Sequence, residues 1–225
     1  VERPPHTSFW RSITEPFQEF VQRNSVKGAL LAIAFLFLYK LGDSMATALS
    51  TVFYLDMGYS KTEIGLIAKN AGLWPAIVGG IFGGLLMIRW GINRALWVFG
   101  FVQWITICGF VWLSQTDYNL WSMALVIALE YLGVGLGTSA SVAYLARLTS
   151  PMYAAAQFAL LTAVAALPRT VAAAWTGAIV EEIGWTQFFI LCVAMAAPGM
   201  ALLFWVAPWN GDKTVARGAS QTASA

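Results

Sequence analysis

Apolar residues fall along this chain in six long blocks separated by short polar connections. The blocks run from about Val26 to Phe53, Ile64 to Ile88, Ala95 to Leu113, Leu120 to Ala146, Met152 to Val180 and Thr186 to Val206. A helix needs about 20 apolar residues to cross the hydrocarbon core of a bilayer, and each block meets that length. Their apolar positions are continuous rather than strictly alternating, which sets them apart from the strands of a membrane β-barrel. The pattern predicts six transmembrane helices. The connections (Asp56 to Glu63, Arg89 to Arg94, Ser114 to Asn119, Arg147 to Pro151 and Glu181 to Trp185) are short, so consecutive helices are expected side by side and antiparallel.

The ends of the chain follow a different pattern. Phe9, Trp10, Ile13, Phe17, Phe20 and Val21 recur at helical spacing, with Arg11, Glu15, Glu19 and Arg23 between them. This predicts an amphipathic helix lying on the membrane surface, kinked or restarted at Pro16. A poorly ordered linker is the alternative. The tail after Trp209 is small and polar and is expected to be disordered. The expected organisation is therefore a linker over residues 1–25, a bundle over 26–208 and a tail over 209–225.

Composition makes lipid the solvent. The chain is 59% hydrophobic and 11% charged, against about 25% charge in a soluble domain. A formal charge of +2 gives no reason to expect nucleic acid as a partner. Cys108 and Cys192 lie inside apolar blocks and read as small buried hydrophobes. With the single histidine, His6, they are too few for a structural zinc site, so neither metal nor cofactor is expected. The first residues are polar with two prolines, unlike a cleavable signal peptide.

Loop charges set the orientation. Arg3, Arg11, Arg23, Lys27, Arg89, Arg94, Arg147, Lys213 and Arg217 all fall on one side. The other side has Lys61 together with Asp56, Glu63, Asp117, Glu181 and Glu182. Under the positive-inside rule both termini are expected in the cytoplasm.

Five charges lie within the blocks: Lys40, Asp43, Lys69, Glu130 and Arg169. A charge at the bilayer centre costs about 2.5–3.5 kcal/mol on insertion scales, so such residues usually face a bundle interior or a water-filled path. They sit in the first, second, fourth and fifth blocks, while the third and sixth carry none. This predicts a cavity enclosed by spans one, two, four and five, with three and six outside. Lys40 and Asp43 are three residues apart, hence on one helical face. Glu130 and its neighbour Tyr131 lie mid-span, as does Arg169 after Pro168, while Lys69 and Asn70 lie in the outer half of span two. A purely structural network, with Lys40 paired to Asp43 and Glu130 to Arg169, is the competing reading.

Small residues and tryptophans complete the pattern. Gly79, Gly80, Gly83 and Gly84 form two interleaved GxxxG registers that permit close helix approach. Gly133, Gly135 and Gly137 precede Thr138, Ser139 and Ser141 and read as a packing seam or a flexible segment beside Glu130. Pro198-Gly199 is expected to kink span six. Most tryptophans lie near span ends, but Trp74 and Trp175 lie deeper, where they serve packing or stack on a sugar ring or peptide group. The residues form no Ser/His, paired-Asp or HExxH constellation, so an enzyme is not expected.

The connection Gly84-Leu85-Leu86-Met87-Ile88-Arg89-Trp90-Gly91-Ile92-Asn93-Arg94 resembles the loop motif of the major facilitator superfamily, G-x-L-x-D-R-x-G-R-R. Gly84, Arg89, Gly91 and Arg94 match it as gating-loop residues, whereas Ile88 stands in place of the motif's Asp. Tyr39-Lys40-Leu41-Gly42-Asp43, Gly137-Thr138-Ser139-Ala140, Gln157-Phe158-Ala159-Leu160-Leu161, Gly184-Trp185 and Pro198-Gly199 together resemble the C-terminal half of the AmpG family of muropeptide permeases.

That resemblance implies an all-α membrane fold: spans seven to twelve of a twelve-span transporter in the bacterial inner membrane, preceded by an amphipathic cytoplasmic linker. It implies proton-coupled import of N-acetylglucosaminyl-1,6-anhydromuramyl peptides for cell-wall recycling, feeding β-lactamase induction. The expected partners are an N-terminal six-helix half, the muropeptide, protons and lipid. Lys40, Lys69, Asn70, Trp74, Tyr131, Gln157 and Arg169 are the candidate substrate contacts, with basic groups suited to peptide carboxylates. Glu130 is the first candidate for proton coupling and Asp43 the second, because Lys40 should hold Asp43 ionised. The chain supplies one half and does not open on Met; it is expected to be a fragment or one part of a split protein, unable to transport alone. Rival readings are a superfamily transporter of another anion such as acetyl-coenzyme A, and a non-transporting membrane scaffold in which every buried charge is paired.

Overall fold

The computed structural model describes the backbone of residues 9–211 and the side chains of residues 14–211. The apolar positions expected at Phe9, Trp10 and Ile13 and the tail 212–225 lie outside the described side chains. Among the described residues the regular structure is wholly helical: α1 (Phe9–Ala48), α2 (Ser50–Asp56), α3 (Lys61–Ile67), a π-helical turn (Ala68–Gly72), α4 (Leu73–Trp90), α5 (Ile92–Leu113), α6 (Leu120–Leu148) and α7 (Ala154–Val206).

Five of these helical stretches are long and apolar enough to span a membrane, but two of them contain a break. The 53 residues of α7 would reach about 80 Å as one straight helix, far beyond a hydrocarbon core of about 30 Å. The backbone turns at Gly184, where φ is 76° and ψ 167°. In α1 the turn falls at Ser25, with φ 60° and ψ 158°. Glycine adopts such angles freely and serine does not; the Ser25 hydroxyl accepts a hydrogen bond from the Gly28 amide at 3.3 Å, capping the helix that follows. The two breaks yield six spans with an amphipathic helix before the first. Helix α1 runs unbroken through Pro16, so the restart expected there falls at Ser25 instead.

The amphipathic helix is docked, with Pro16 and Phe20 buried. Gln157, at the start of the fifth span, donates from Nε2 to the Pro16 carbonyl at 2.9 Å and to the Glu19 carboxylate, and accepts from the Ser150 amide at 2.7 Å. Arg23 donates to the Leu148 carbonyl and pairs with Glu19 at 3.4 Å.

Glycine allows the spans to cross closely. A Cβ on Gly79 would strike the Leu132 carbonyl, and one on Gly83 would lie 3.0 Å from Ser139 Cβ. The Gly80/Gly84 register is open, since a Cβ on Gly84 would meet nothing within 4 Å. One of the two expected GxxxG registers is therefore the seam between spans two and four. On the fourth span, Gly135 receives the second span, whereas Gly133 and Gly137 receive Thr106 and Gln103 of the third. Gly42 and Gly199 bring spans one and six together; a Cβ on Gly199 would lie 2.6 Å from Tyr39 Cα. Helix α7 keeps helical φ/ψ through Pro198, and Gly199 serves this close approach.

Helix α5 has two faces. Leu96, Phe99, Gln103, Thr106, Phe110 and Leu113 are buried, while Phe101, Ile105, Cys108 and Trp112 form an exposed stripe. Cys192 is buried as expected, but Cys108 lies on that outward stripe. The second and fifth spans are the least covered: Leu73, Trp74, Ile77, Ile81, Phe82 and Ile88 all project from α4. At the acidic end, a capping box between Ser60 and Glu63 begins α3. Glu63 also accepts from the Tyr118 hydroxyl at 2.6 Å, and this bond holds the phenol of Tyr118 above its ordinary range.

Candidate functional site

A cavity of about 540 Å³ opens between spans one, two, four and five. Spans one and four supply most of its wall. Lys40, Asp43 and Thr47 follow one another at i, i+3 and i+7 on the first, and Tyr131, Thr138 and Ser141 lie on one face of the fourth. Thr162 and Arg169 come from the fifth, Ile64 and Ala68 from the second. Span six contributes nothing to this wall, as expected, but span three, expected outside, contributes Phe110.

The charges behave in three ways. Lys40 Nζ lies 3.6 Å from Asp43 Oδ2, the pair expected from their spacing. Glu130 is 2% exposed; its carboxyl lies against the Asp43 carboxyl of span one and near the Thr106 hydroxyl of span three, and no basic group donates to it among the described residues. Arg169 is exposed to the cavity and has no ion-pair partner among the described residues, so the pairing of Glu130 with Arg169 considered above is absent. Burying an unpaired polar group is costly, so Glu130 is held where packing alone would not place it. Asp43, which shares this contact, and Lys40, paired to Asp43, are its charged neighbours.

The other sequence candidates lie elsewhere. Lys69 and Asn70 are exposed on the π-helical turn, where Asn70 donates to the Leu66 carbonyl at 2.8 Å. Such a turn often marks a functional position in a helix; here the Tyr131 ring packs on it, 3.3 Å from where a Cβ on Gly72 would be. Trp74 is 64% exposed on the uncovered face of α4, and Trp175 is likewise exposed on the fifth span. Gln157 is buried against the amphipathic helix, away from the cavity.

The loop that resembles the superfamily motif sits at the arginine-rich end. Gly91 takes φ 81° between α4 and α5, and Arg89 is exposed. Arg94 donates to Asn210 at 2.9 Å and lies 5.7 Å from the centre of the Trp209 ring. Arg147 donates to Asn93 at 2.6 Å, and Asn93 donates to the Pro208 carbonyl at 2.9 Å. This end of the bundle is thus closed onto the segment after span six. Thr138 and Ser141, expected only in a packing seam or flexible segment, join Thr47 and Thr162 in placing hydroxyls on the cavity wall; the helical register of Thr47 with Lys40 and Asp43, and of Thr162 with Arg169, is the signal that marks the latter two.

No family model matches the chain. It is 40% identical over 194 residues to the anhydromuropeptide permease of Escherichia coli K12, which covers 86% of this chain and 39% of that one. It is 33% identical over 200 residues to the putative transporter AmpG 4 of Rickettsia conorii, covering 89% and 48% respectively. The chain belongs with the AmpG-type permeases. A Haemophilus influenzae protein described as uncharacterized is similar too, 48% identical over 215 residues, covering 92% of this chain and 50% of its own length. This AmpG-type chain spans about half the length of the curated relatives it matches. Its six spans, their cavity-lining order and these relatives make it a multi-pass membrane protein of the major facilitator type.

Proposed function

We propose that this chain is the C-terminal half of a proton-coupled transporter that imports anhydro-muropeptides across the bacterial inner membrane. The observation that carries the reading is one cavity holding both a guanidinium with no ion-pair partner among the described residues, Arg169, and a buried carboxyl, Glu130, that faces the Asp43 carboxyl instead of a base. Arg169 suits a stem-peptide carboxylate, which it can bind through two parallel hydrogen bonds. The hydroxyls of Thr47, Thr138, Ser141 and Thr162 suit sugar hydroxyls and peptide amides. Glu130 is less costly to bury neutral than ionised, so it suits a site that gains a proton in one state and loses it in another.

A six-helix half supplies part of a midplane site, and alternating access rocks it against a second half. The bare faces of spans two and five, with Lys69, Asn70 and Trp74 on them, are where the second half and the remaining substrate contacts would lie. The amphipathic helix would then be the linker between halves, with both termini cytoplasmic. Imported product would feed recycling of the cell wall and β-lactamase induction.

The test is uptake of labelled disaccharide-anhydro-muropeptide by the full-length transporter in proteoliposomes. Accumulation should require an imposed proton gradient and collapse with a protonophore. Glu130→Gln should keep exchange of substrate across the membrane but lose gradient-driven accumulation. Stronger competition by acetyl-coenzyme A than by muropeptide would assign another anion, and absence of uptake by folded protein would leave a scaffold.

A further inference from the structure

Asp43 and Glu130 bring two carboxyl groups together with no donor to join them. Asp43 stands on the first span and Glu130 on the fourth, and both line the cavity. They are 8% and 2% exposed. Asp43 Oδ1 and both Glu130 oxygens are buried and meet no donor among the described residues, although the two carboxyls lie against each other. A basic group stands on one side only: Lys40 Nζ lies 3.6 Å from Asp43 Oδ2. The Thr106 hydroxyl, also near Glu130, has its hydrogen on the Gln103 backbone carbonyl at 2.8 Å.

Two carboxyl groups this close and this buried do not both ionise, because like charges in contact force a proton onto one of them. An ionised carboxylate only accepts hydrogen bonds, whereas a protonated one has an O–H to give. A single proton therefore supplies the donor that the three buried oxygens lack. The ion pair decides where it sits. Lys40 favours the charged form of Asp43, and Glu130 has no base beside it. We propose that spans one and four hold one proton between them, the Glu130 O–H donating to Asp43 Oδ1, which makes Asp43 the positioning residue for the proton on Glu130. When the proton leaves for the cavity, the Glu130 O–H bond breaks and two anions face each other across one cation. When it returns, that bond and the bridge to Asp43 re-form, so both helices feel the change. No other covalent bond is made or broken. This inference rests on the proton role proposed above for Glu130. The other titratable groups around the pair are Lys40 and Tyr39 of α1, Tyr54 of α2 and Tyr131 beside Glu130 on α6. Arg169 of α7 lines the same cavity, and the second and third spans bring no charge to its wall.

The experiment is an infrared pH titration of the purified full-length transporter, following the carboxylic acid C=O band that Glu130→Gln should remove. Asp43→Asn should lower the pH at which half the band is lost by about one unit or more, a tenfold weaker hold on the proton. It should also move the band's frequency, because the acceptor of the acid O–H has changed. Lys40→Met should raise the half-point by about one unit, since Asp43 then faces Glu130 without its counter-charge. A half-point unmoved or raised in Asp43→Asn, or unmoved or lowered in Lys40→Met, would overturn the proposal. So would an acid band that survives Glu130→Gln, which would put the proton on Asp43. Should Asp43→Asn not fold, Lys40→Met decides the matter by the sign of its shift. The titration needs no substrate: the expected shifts without muropeptide uptake would sink the transport reading and leave the shared proton standing, whereas gradient-driven uptake with unmoved half-points would do the reverse.

Discussion

Lys40 Nζ and Asp43 Oδ2 lie 3.6 Å apart on successive turns of the first span, while the other Asp43 oxygen is buried and meets no donor among the described residues. The pair is therefore half-satisfied, and the Asp43 carboxyl also lies against that of Glu130. Removing one member of a buried pair strands the other charge, at a cost of about 3–5 kcal/mol, whereas removing both can be nearly neutral. Lys40→Met and Asp43→Asn should each lower the unfolding midpoint in detergent more than the double variant does. A double variant as unstable as the sum of the singles would show that the two groups do not depend on each other.

Arg169 faces the cavity with no competing carboxylate among the described residues. A hydrogen bond to a charged group contributes about 1.5–3 kcal/mol, so Arg169→Ala should raise KM for a peptide-bearing substrate by about 10- to 100-fold. Arg169→Lys should fall between, because an ammonium cannot make the bidentate contact. A disaccharide without its peptide should be transported equally by all three proteins. An equal loss for both substrates would place Arg169 in folding or gating.

The two glycine registers of α4 give a paired test. Gly79→Ala drives a methyl into the backbone of span four, and overpacking of this kind costs about 1–3 kcal/mol. Gly84→Ala meets open space and should be neutral or stabilising by about 1 kcal/mol through helix propensity. Thermal unfolding of the two variants should move in opposite directions.

Gln157 ties the amphipathic helix to the fifth span through Pro16 and Glu19. Gln157→Leu should release that helix and speed tryptic cleavage after Arg23 several-fold, with KM for substrate unchanged. A raised KM with unchanged proteolysis would restore it as a substrate contact.

Much of this architecture was legible because lipid simplifies the code. A span must be long, apolar and helical, so the six blocks, their order and the charged spans could be read from Val26 to Val206. The sparing use of charge also singled out Lys40, Asp43, Glu130 and Arg169, which the fold gathers at one cavity. Lys69 and Gln157 looked equivalent in type and were not gathered there. Lys69 sits exposed on a π-helical turn outside the cavity lining, and Gln157 is occupied by backbone some 140 residues earlier in the chain. Neither a local change of helical pitch nor a distant partner is encoded in the spacing around the residue itself.

The sequence by itself determined what must leave water and what cannot be cheap in lipid: the number of spans, the ends of the bundle that carry arginine or acid, and the few charges that need a reason. Only the tertiary structure decided which of those charges are paired, which glycines carry a crossing, and that the uncharged third span lays Gln103 and Thr106 against the glycines of the fourth. Hydrophobicity is a property of single residues and is summed along the chain, whereas pairing and close approach depend on helix rotation and crossing geometry, which exist only once the helices have packed.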